Sequence, residues 1–351
     1  MHTSTPTTAL LTLAATLPSA LAWGTLGHET IAFIAQHYVA NTTAAWAQTI
    51  LANTSTTYLA SVATWADSYR YTAEGAFSAP FHYIDAEDNP PATCNVDFDR
   101  DCGAAGCVVS AIANYTARVQ QGPTSGGNLS ATQANYALRW IVHFVGDITQ
   151  PLHDEALAIG GNDIDVEFNG TATNLHHIWD TNMPEALRGG YTLADAAAWA
   201  ENLTFEIDSG VYEAEKASWV SSLDITDAKA TALSWAQDAN AFVCSVVLPS
   251  GGESAINGTE TYPAYYESAI GTVELQVAKA GYRLAKWLDA IAGAQAGNQT
   301  VGNLSATAYH ARKREVGMAD LSGRSLLPAP RELSPAKLRR AAVGWGCGHA
   351  H

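Results

Sequence analysis

Two short stretches of the chain place metal-binding side chains at helical spacing. In Arg139-Trp-Ile-Val-His143-Phe-Val-Gly-Asp147 an imidazole and a carboxylate stand four residues apart, which puts both on one face of a helix. Asn174-Leu-His176-His-Ile-Trp-Asp180 repeats the His-x3-Asp spacing. His153 lies between the two, just after Gln150-Pro151-Leu152, where the proline ends the first helix. Neutral imidazole and ionised carboxylate are the nitrogen and oxygen donors that zinc accepts. A single His-x3-Asp pair is ordinarily a helix-surface ion pair. Here Ile141, Val142, Phe144, Val145, Leu175, Ile178 and Trp179 flank the two pairs, so five ionisable groups sit on apolar faces and need a compensating partner. A dinuclear metal site supplies one. Upstream, His28 in Trp23-Gly-Thr-Leu-Gly27-His28, Asp67 in Thr64-Trp65-Ala66-Asp67 and His82 in Phe81-His82-Tyr83-Ile84-Asp85 are further candidates. Taken singly they read as an N-cap neighbour, a solvated helix carboxylate and a core histidine.

The elements that must position these residues are helices. Apolar residues recur at helical spacing over Glu29–Val39, Thr57–Tyr69, Ala131–Asp147, Leu193–Glu206, Ala228–Val247 and Tyr265–Ile291. Clusters of Gly, Pro, Asn and Ser, such as Asp88–Pro91, Gly122–Gly127 and Ser250–Gly252, separate them. Only Ile164–Phe168 alternates like a strand. The expected fold is mainly α, a single large helical domain over residues 23–293 with few short strands.

Composition narrows the function. The 351 residues are 47% apolar and 15% charged, with 18 Lys+Arg against 34 Asp+Glu, for a net charge of −16. This excludes wholesale disorder and argues against a basic protein that grips phosphates along a duplex. No run of 18 apolar residues is present, so no membrane partner is expected. Residues 1–22 read as a signal peptide, because the apolar stretch Ala9–Ala22 ends in Ala20-Leu21-Ala22. Cleavage after Ala22 leaves Trp23 as the mature N-terminus and predicts a secreted, extracellular protein. Nine sequons, at Asn41, Asn53, Asn114, Asn128, Asn169, Asn202, Asn257, Asn298 and Asn303, predict a glycoprotein. Five cysteines suit an oxidising compartment. Cys94, Cys102, Cys107 and Cys244 allow three pairings between which the sequence does not choose, and Cys347 is left over. Residues 294–351 hold eight of the 18 basic residues against three acids, and read as a basic, disordered or processed tail with Lys313-Arg314 as a dibasic cleavage site.

Together, Trp-Gly-x-x-Gly-His at residue 23, Trp65-Ala-Asp67, His82-Tyr-Ile-Asp85, His143-Phe-x-Gly-Asp147-x-x-Gln-Pro-Leu-His153 and Asn174-Leu-His176-x-x-Trp-Asp180 resemble the zinc-dependent S1/P1 nuclease family, secreted relatives of bacterial phospholipase C. The resemblance runs from Trp23 to about Ile291. It implies three zinc ions: one held by Asp67, His82, His143 and Asp147, a second by His153, His176 and Asp180, and a third by His28, Asp147 and the α-amino and carbonyl groups of Trp23. It further implies disulfides Cys94–Cys244 and Cys102–Cys107, and gives Cys347 no role. Arg70 and Asn162 match positions that assist phosphate binding. Tyr83 stands where relatives can carry Phe, suited to stack on a nucleobase, and Asp85 can accept a hydrogen bond from a base edge.

The implied activity is endonucleolytic hydrolysis of single-stranded DNA and RNA to 5′-mononucleotides, with 3′-nucleotidase activity, by a monomer. Paired metals ionise a water near neutral pH and a third stabilises the leaving oxygen, with Asp67 and Asp147 as the carboxylates at the reacting centre. Metal charge thus lets an acidic protein act on nucleic acid. The alternative enzyme is a zinc phospholipase C-like phosphodiesterase, for which Tyr83 and Asp85 offer no choline pocket. A purely structural metal fits poorly, since closed structural sites usually hold four protein ligands and often cysteine.

Overall fold

The computed structural model describes residues 23–302. The expected signal peptide, Asn303, Lys313-Arg314 and Cys347 lie outside the described residues, as does the side chain of Asn298.

The helix that carries His143 and Asp147 spans Ala131–Asp147, as its periodicity predicts. Ser130 starts it, its hydroxyl oxygen accepting a hydrogen bond from the Gln133 amide and so satisfying one of the unpaired N–H groups of the first turn. Beyond Asp147 the chain turns into the 3-10 segment Pro151–Asp154, whose first residue has no N–H to lose. The Ala131–Asp147 helix lies against Val108–Val119, and Thr25–Tyr38 packs on both Leu193–Ser209 and Ala264–Gly302. Gly281 permits the last contact, because a Cβ there would come within 2.4 Å of Ile34 Cβ. Trp23, Trp140, Trp179, Trp199, Trp235 and Trp287 are fully buried and supply much of the core.

The architecture is mainly α. Its one small sheet among the described residues has the order β2-β1-β3, from β1 (Asp165–Phe168), β2 (Thr171–Asn174) and β3 (Thr259–Glu260). β1 runs antiparallel to β2, with Asp165 opposite Asn174, and parallel to β3. It alternates exposed and buried residues as the sequence predicts. Asn169 and Gly170, both at positive φ, form the two-residue turn of the β1–β2 hairpin. β2 feeds directly into Leu175-His176, so the hairpin aims the second His-x3-Asp pair.

Three expectations are corrected. Thr57–Tyr69 is not one helix but a 3-10 turn at Ala60–Val62 and a short helix at Trp65–Tyr69. A continuous helix would commit the Ala63 carbonyl to the Asp67 amide, whereas that oxygen accepts from the His143 ring at 2.7 Å. Ala228–Val247 is helical to Phe242 and then widens into a π-helical turn over Val243–Val247. The last helix, Ala264–Gly302, runs past its expected end at Ile291, and Gln295 beyond that point is buried with its side-chain oxygen accepting from Trp46 Nε1 at 2.8 Å. The disulfides Cys94–Cys244 and Cys102–Cys107 are both formed. No helix among the described residues is long and apolar enough to cross a membrane.

One buried charge cluster ties the last two long helices together. Asp238 accepts from Lys279 Nζ at 2.9 Å and from Arg283 Nη2 at 2.8 Å, and both cations are almost wholly buried. Burial pushes the Asp238 carboxyl up, but Arg283 and Lys279 outweigh it and hold it below the ordinary value of 3.8. A depressed folded-state pKa contributes stability that is present above the unfolded pKa and disappears as pH falls through the folded one. Asp238→Asn should therefore cost about 2 kcal/mol near pH 7, below the usual figure for a buried pair because the carboxylate is one-third exposed. Denaturant melts repeated down to pH 3 should show the two proteins converging; a constant gap would refute the charge argument.

Candidate metal centre

The expected ligands converge into three buried groups. They are Asp67 with His82 and His143; His28 with His143 and Asp147; and His153 with His176 and Asp180. Within each group the candidate ligand atoms lie within 4.8 Å of one another. Asp147 joins the first two. Its Oδ2 is 2.9 Å from His82 Nδ1 and 3.1 Å from His143 Nε2, and its Oδ1 is 3.2 Å from His28 Nε2. In the third group Asp180 Oδ2 is 3.0 Å from His176 Nε2.

Backbone carbonyls fix which ring nitrogen faces inward. Nδ1 of His143 donates to Ala63 O at 2.7 Å, Nδ1 of His153 to His82 O at 2.8 Å and Nδ1 of His176 to Gly160 O at 2.6 Å. Each bond leaves Nε2 as the donor atom for a metal, the usual arrangement around ligating histidines. The segments also brace each other, since the Ile84 amide donates back to His153 O at 2.9 Å. His28 reaches the cluster only because residue 146 is glycine: a Cβ there would lie 2.8 Å from His28 Nδ1.

Gly160 presents its carbonyl from an unusual run. Ala158, Ile159, Gly160 and Gly161 all have positive φ, between 48° and 78°. For Ala158 and Ile159 this region costs about 1 kcal/mol or more each, strain of the kind held at functional sites. The same run leads into Asn162, whose Nδ2 donates to Ile159 O at 2.7 Å with a second N–H still to offer.

The electrostatics favour an added cation. Burial lowers His143, yet the Asp147 and Asp67 carboxylates prevail and raise it to about 9. Burial dominates at His82, pushed down to about 3, and at His28, lowered also by His143. Burial raises Asp67. At Asp147 and Asp180 it is outweighed by the neighbouring imidazoles, which hold both carboxyls below their usual range. Both oxygens of Asp67, Oδ1 of Asp147 and Nε2 of His176 are buried without a hydrogen bond in the described chain. Such desolvated donors are costly unless something coordinates them, and a thiol-free nitrogen and oxygen set suits zinc.

The S1/P1 nuclease family model matches residues 23–293, the stretch that contains every one of these groups. The chain belongs to the S1/P1 nuclease family. It is 54% identical over 273 residues to Nuclease P1 of Penicillium citrinum, covering 78% of this chain and 99% of that one. It is 53% identical over 270 residues to Nuclease S1 of Aspergillus oryzae, covering 77% and 92%. Endonuclease 4 of Arabidopsis thaliana is 30% identical over 289 residues, covering 80% and 93%. The protein is therefore an enzyme, a nuclease and phosphodiester hydrolase.

Of the residues expected to meet substrate, Arg70 follows Asp67 by three positions and Tyr83 and Asp85 follow His82. Arg70 is buried, donates to the Tyr71 hydroxyl at 2.8 Å, and lies close enough for its charge to lower Asp67 and His82. Tyr83 is half-buried and Asp85 buried, directly after His82. Trp23 is fully buried, its indole donating to Thr149 Oγ1 at 3.2 Å, and its carbonyl accepts from the His28 amide at 3.2 Å. The sequence reading gave no role to Gln150, whose Nε2 donates to Asp180 Oδ1 at 2.6 Å while its Oε1 accepts from the Leu152 amide. Gln150 thereby turns Oδ2 of Asp180 toward His176. Its presence in the Gln-Pro-Leu-His motif was the available signal. The Ala63 and Gly160 carbonyls had none, being backbone atoms.

Proposed function

We propose that this nuclease is a secreted zinc enzyme that cuts single-stranded DNA and RNA to 5′-mononucleotides and also removes 3′-phosphates from nucleotides. The observation that carries the reading is the convergence of eight His and Asp side chains into three buried, thiol-free groups. Asp67, His82, His143 and Asp147 would hold one ion; His153, His176 and Asp180 a second; His28, Asp147 and the Trp23 α-amino and carbonyl groups a third. Bound zinc supplies Lewis acidity and a water ionised near neutral pH.

The chain's own residues then bind and orient. Arg70 and Asn162 hold the phosphate, Arg70 as a charge-assisted donor and Asn162 through its remaining N–H. Tyr83 stacks on the base and Asp85 accepts a hydrogen bond from its edge. Stacking needs a base that is out of a duplex, and the acidic surface disfavours binding along paired backbones. Single strands are thereby selected without sequence preference. Secretion rests on residues 1–22 and the sequons, with Trp23 freed by cleavage after Ala22. The basic segment past the last helix is not needed by this site, and the domain works as a monomer.

The test is hydrolysis of single-stranded and duplex DNA by the secreted, cleaved protein, before and after chelation and with zinc restored. Single-strand cleavage should vanish with chelator and return with zinc, and Tyr83→Ala should raise KM several-fold for oligonucleotides. Activity indifferent to chelation would overturn the metal role. Equal rates on duplex DNA would overturn the stacking argument.

A further inference from the structure

Beside the Val108–Val119 helix lies a pocket of 380 Å³ whose lining includes none of the candidate metal ligands and none of the residues assigned to substrate. Tyr69, Phe77, Phe81, Tyr136 and Trp140 supply aromatic walls. The rings run into one another, with centroids 5.8 Å apart for Phe77 and Phe81 and 5.4 Å for Tyr69 and Tyr136. Phe77 is 55% exposed and leaves apolar ring surface open to solvent beside the pocket. Polar groups stand at the rim: Glu74, and Arg118 donating to Gln133 Oε1 at 3.0 Å.

The wall also contains Asn114, the acceptor residue of the sequon Asn114-Tyr115-Thr116. Asn41, Asn128, Asn202 and Asn257 are exposed, and Asn53 donates its amide to Ser61. Asn114 instead is half-buried in the middle of a helix, one turn before Arg118. A sugar attached there starts beside the rings.

We propose that this pocket is an intramolecular cradle for the first sugars of an N-glycan on Asn114. The apolar C–H face of an N-acetylglucosamine packs on Phe77 and its neighbours, whose ring faces carry partial negative charge. Its hydroxyl and acetamido groups meet Glu74, Arg118 and Gln133. At 380 Å³ the pocket is near the lower end of ligand-site sizes, suited to one or two sugars rather than an oligomer. Covalent attachment keeps the occupant at high effective concentration, which a free nucleobase lacks. The proposal rests on the secreted reading, since only a secretory chain meets the glycosylation machinery.

The test uses the full chain secreted from a fungal host. Glycopeptide mass spectrometry should find Asn114 modified. Asn114→Gln should lower Tm by about 3 °C, whereas trimming the glycans enzymatically to a single N-acetylglucosamine should leave Tm unchanged. Phe77→Ala should lower Tm similarly, and Asn114→Gln added to it should cost little more, because both changes remove one contact. Thr116 is unsuitable for removing the sequon, as its hydroxyl accepts from Trp287 in the core. An unmodified Asn114 beside occupied sequons elsewhere overturns the cradle alone, as does full additivity of the two substitutions. Unchanged Tm with weakened single-strand binding overturns it in favour of a nucleic-acid subsite. Failure of the host to export the chain, with no glycan on any sequon of the retained protein, removes the secreted reading and the cradle together.

Discussion

Asp147→Asn is expected to lower kcat about 10³-fold or more and, on the proposed ligand sets, to leave one zinc ion per chain instead of three. Asp147 is the carboxylate on which His28, His82 and His143 converge, each within 3.2 Å. In the proposed arrangement it serves two of the three ions. Asparagine has nearly the same shape but no charge, and its amide nitrogen cannot replace the lost oxygen. The ion at His153, His176 and Asp180 shares no ligand with Asp147 and should remain. Asp180→Asn is the matched control: it should remove only that ion and leave the other two. Elemental analysis of both variants beside kinetics on single-stranded DNA separates the outcomes. An Asp147→Asn protein that keeps three zinc ions and its turnover would show that Asp147 is a structural acid paired with histidines. The change should be felt in metal content before it is felt in the fold. The helix that bears Asp147 is held by Ser130 at one end and by Trp140, Ile141 and Phe144 along its length.

The site was legible in the sequence to an unusual degree because its ligands come in local pairs. His143 and Asp147, and His176 and Asp180, share single helical turns, so spacing alone places each pair on one face. His28, Asp67 and His82 have no such pairing, and only the family resemblance attached them to the others. The structure shows why: they arrive from three separate segments, one of them a short helix that begins only at Trp65, leaving the Ala63 carbonyl to hold the His143 ring. Periodicity could not anticipate that break, because Thr57–Tyr69 carries the apolar spacing of a helix and the competing partner is 80 residues away. The left-handed run at Ala158–Gly161 was invisible for a related reason. Ala and Ile are not residues that announce positive φ, and only the demand of His176 for the Gly160 carbonyl accounts for the conformation. The last helix limit erred the other way. Ala264–Gly302 extends beyond its periodic stretch because Gln295 finds Trp46, a polar contact that no hydrophobic pattern records.

A protein made with one extra residue before Trp23 is expected to fold normally, bind two zinc ions instead of three, and lose about 10²-fold or more in kcat. The reasoning begins with the anchoring of Trp23. Its side chain is wholly buried, its indole bonds Thr149, and its carbonyl accepts from the His28 amide. Gly24 beside it is pressed so close to the Asp180 carbonyl that a Cβ would lie 2.9 Å away. The backbone at Trp23 and Gly24 is thus held by the His28 amide on one side and against the Asp180 carbonyl on the other. A free α-amino group, with its pKa near 8, offers a lone pair once deprotonated, whereas an amide nitrogen gives its lone pair to the carbonyl. One added peptide bond therefore deletes a ligand while leaving the tryptophan in place. Trp23→Leu makes the complementary change, keeping the amine but opening a cavity and stranding Thr149. It should lower stability by about 3 kcal/mol. Metal counts by native mass spectrometry beside thermal melts should show the two variants failing differently, one in metal and one in stability. An extended protein with three ions and unaltered turnover would mean that cleavage after Ala22 serves export alone. Two ions and lost turnover would mean that a free α-amino group on Trp23 completes the active site, which would tie activity to removal of the expected leader.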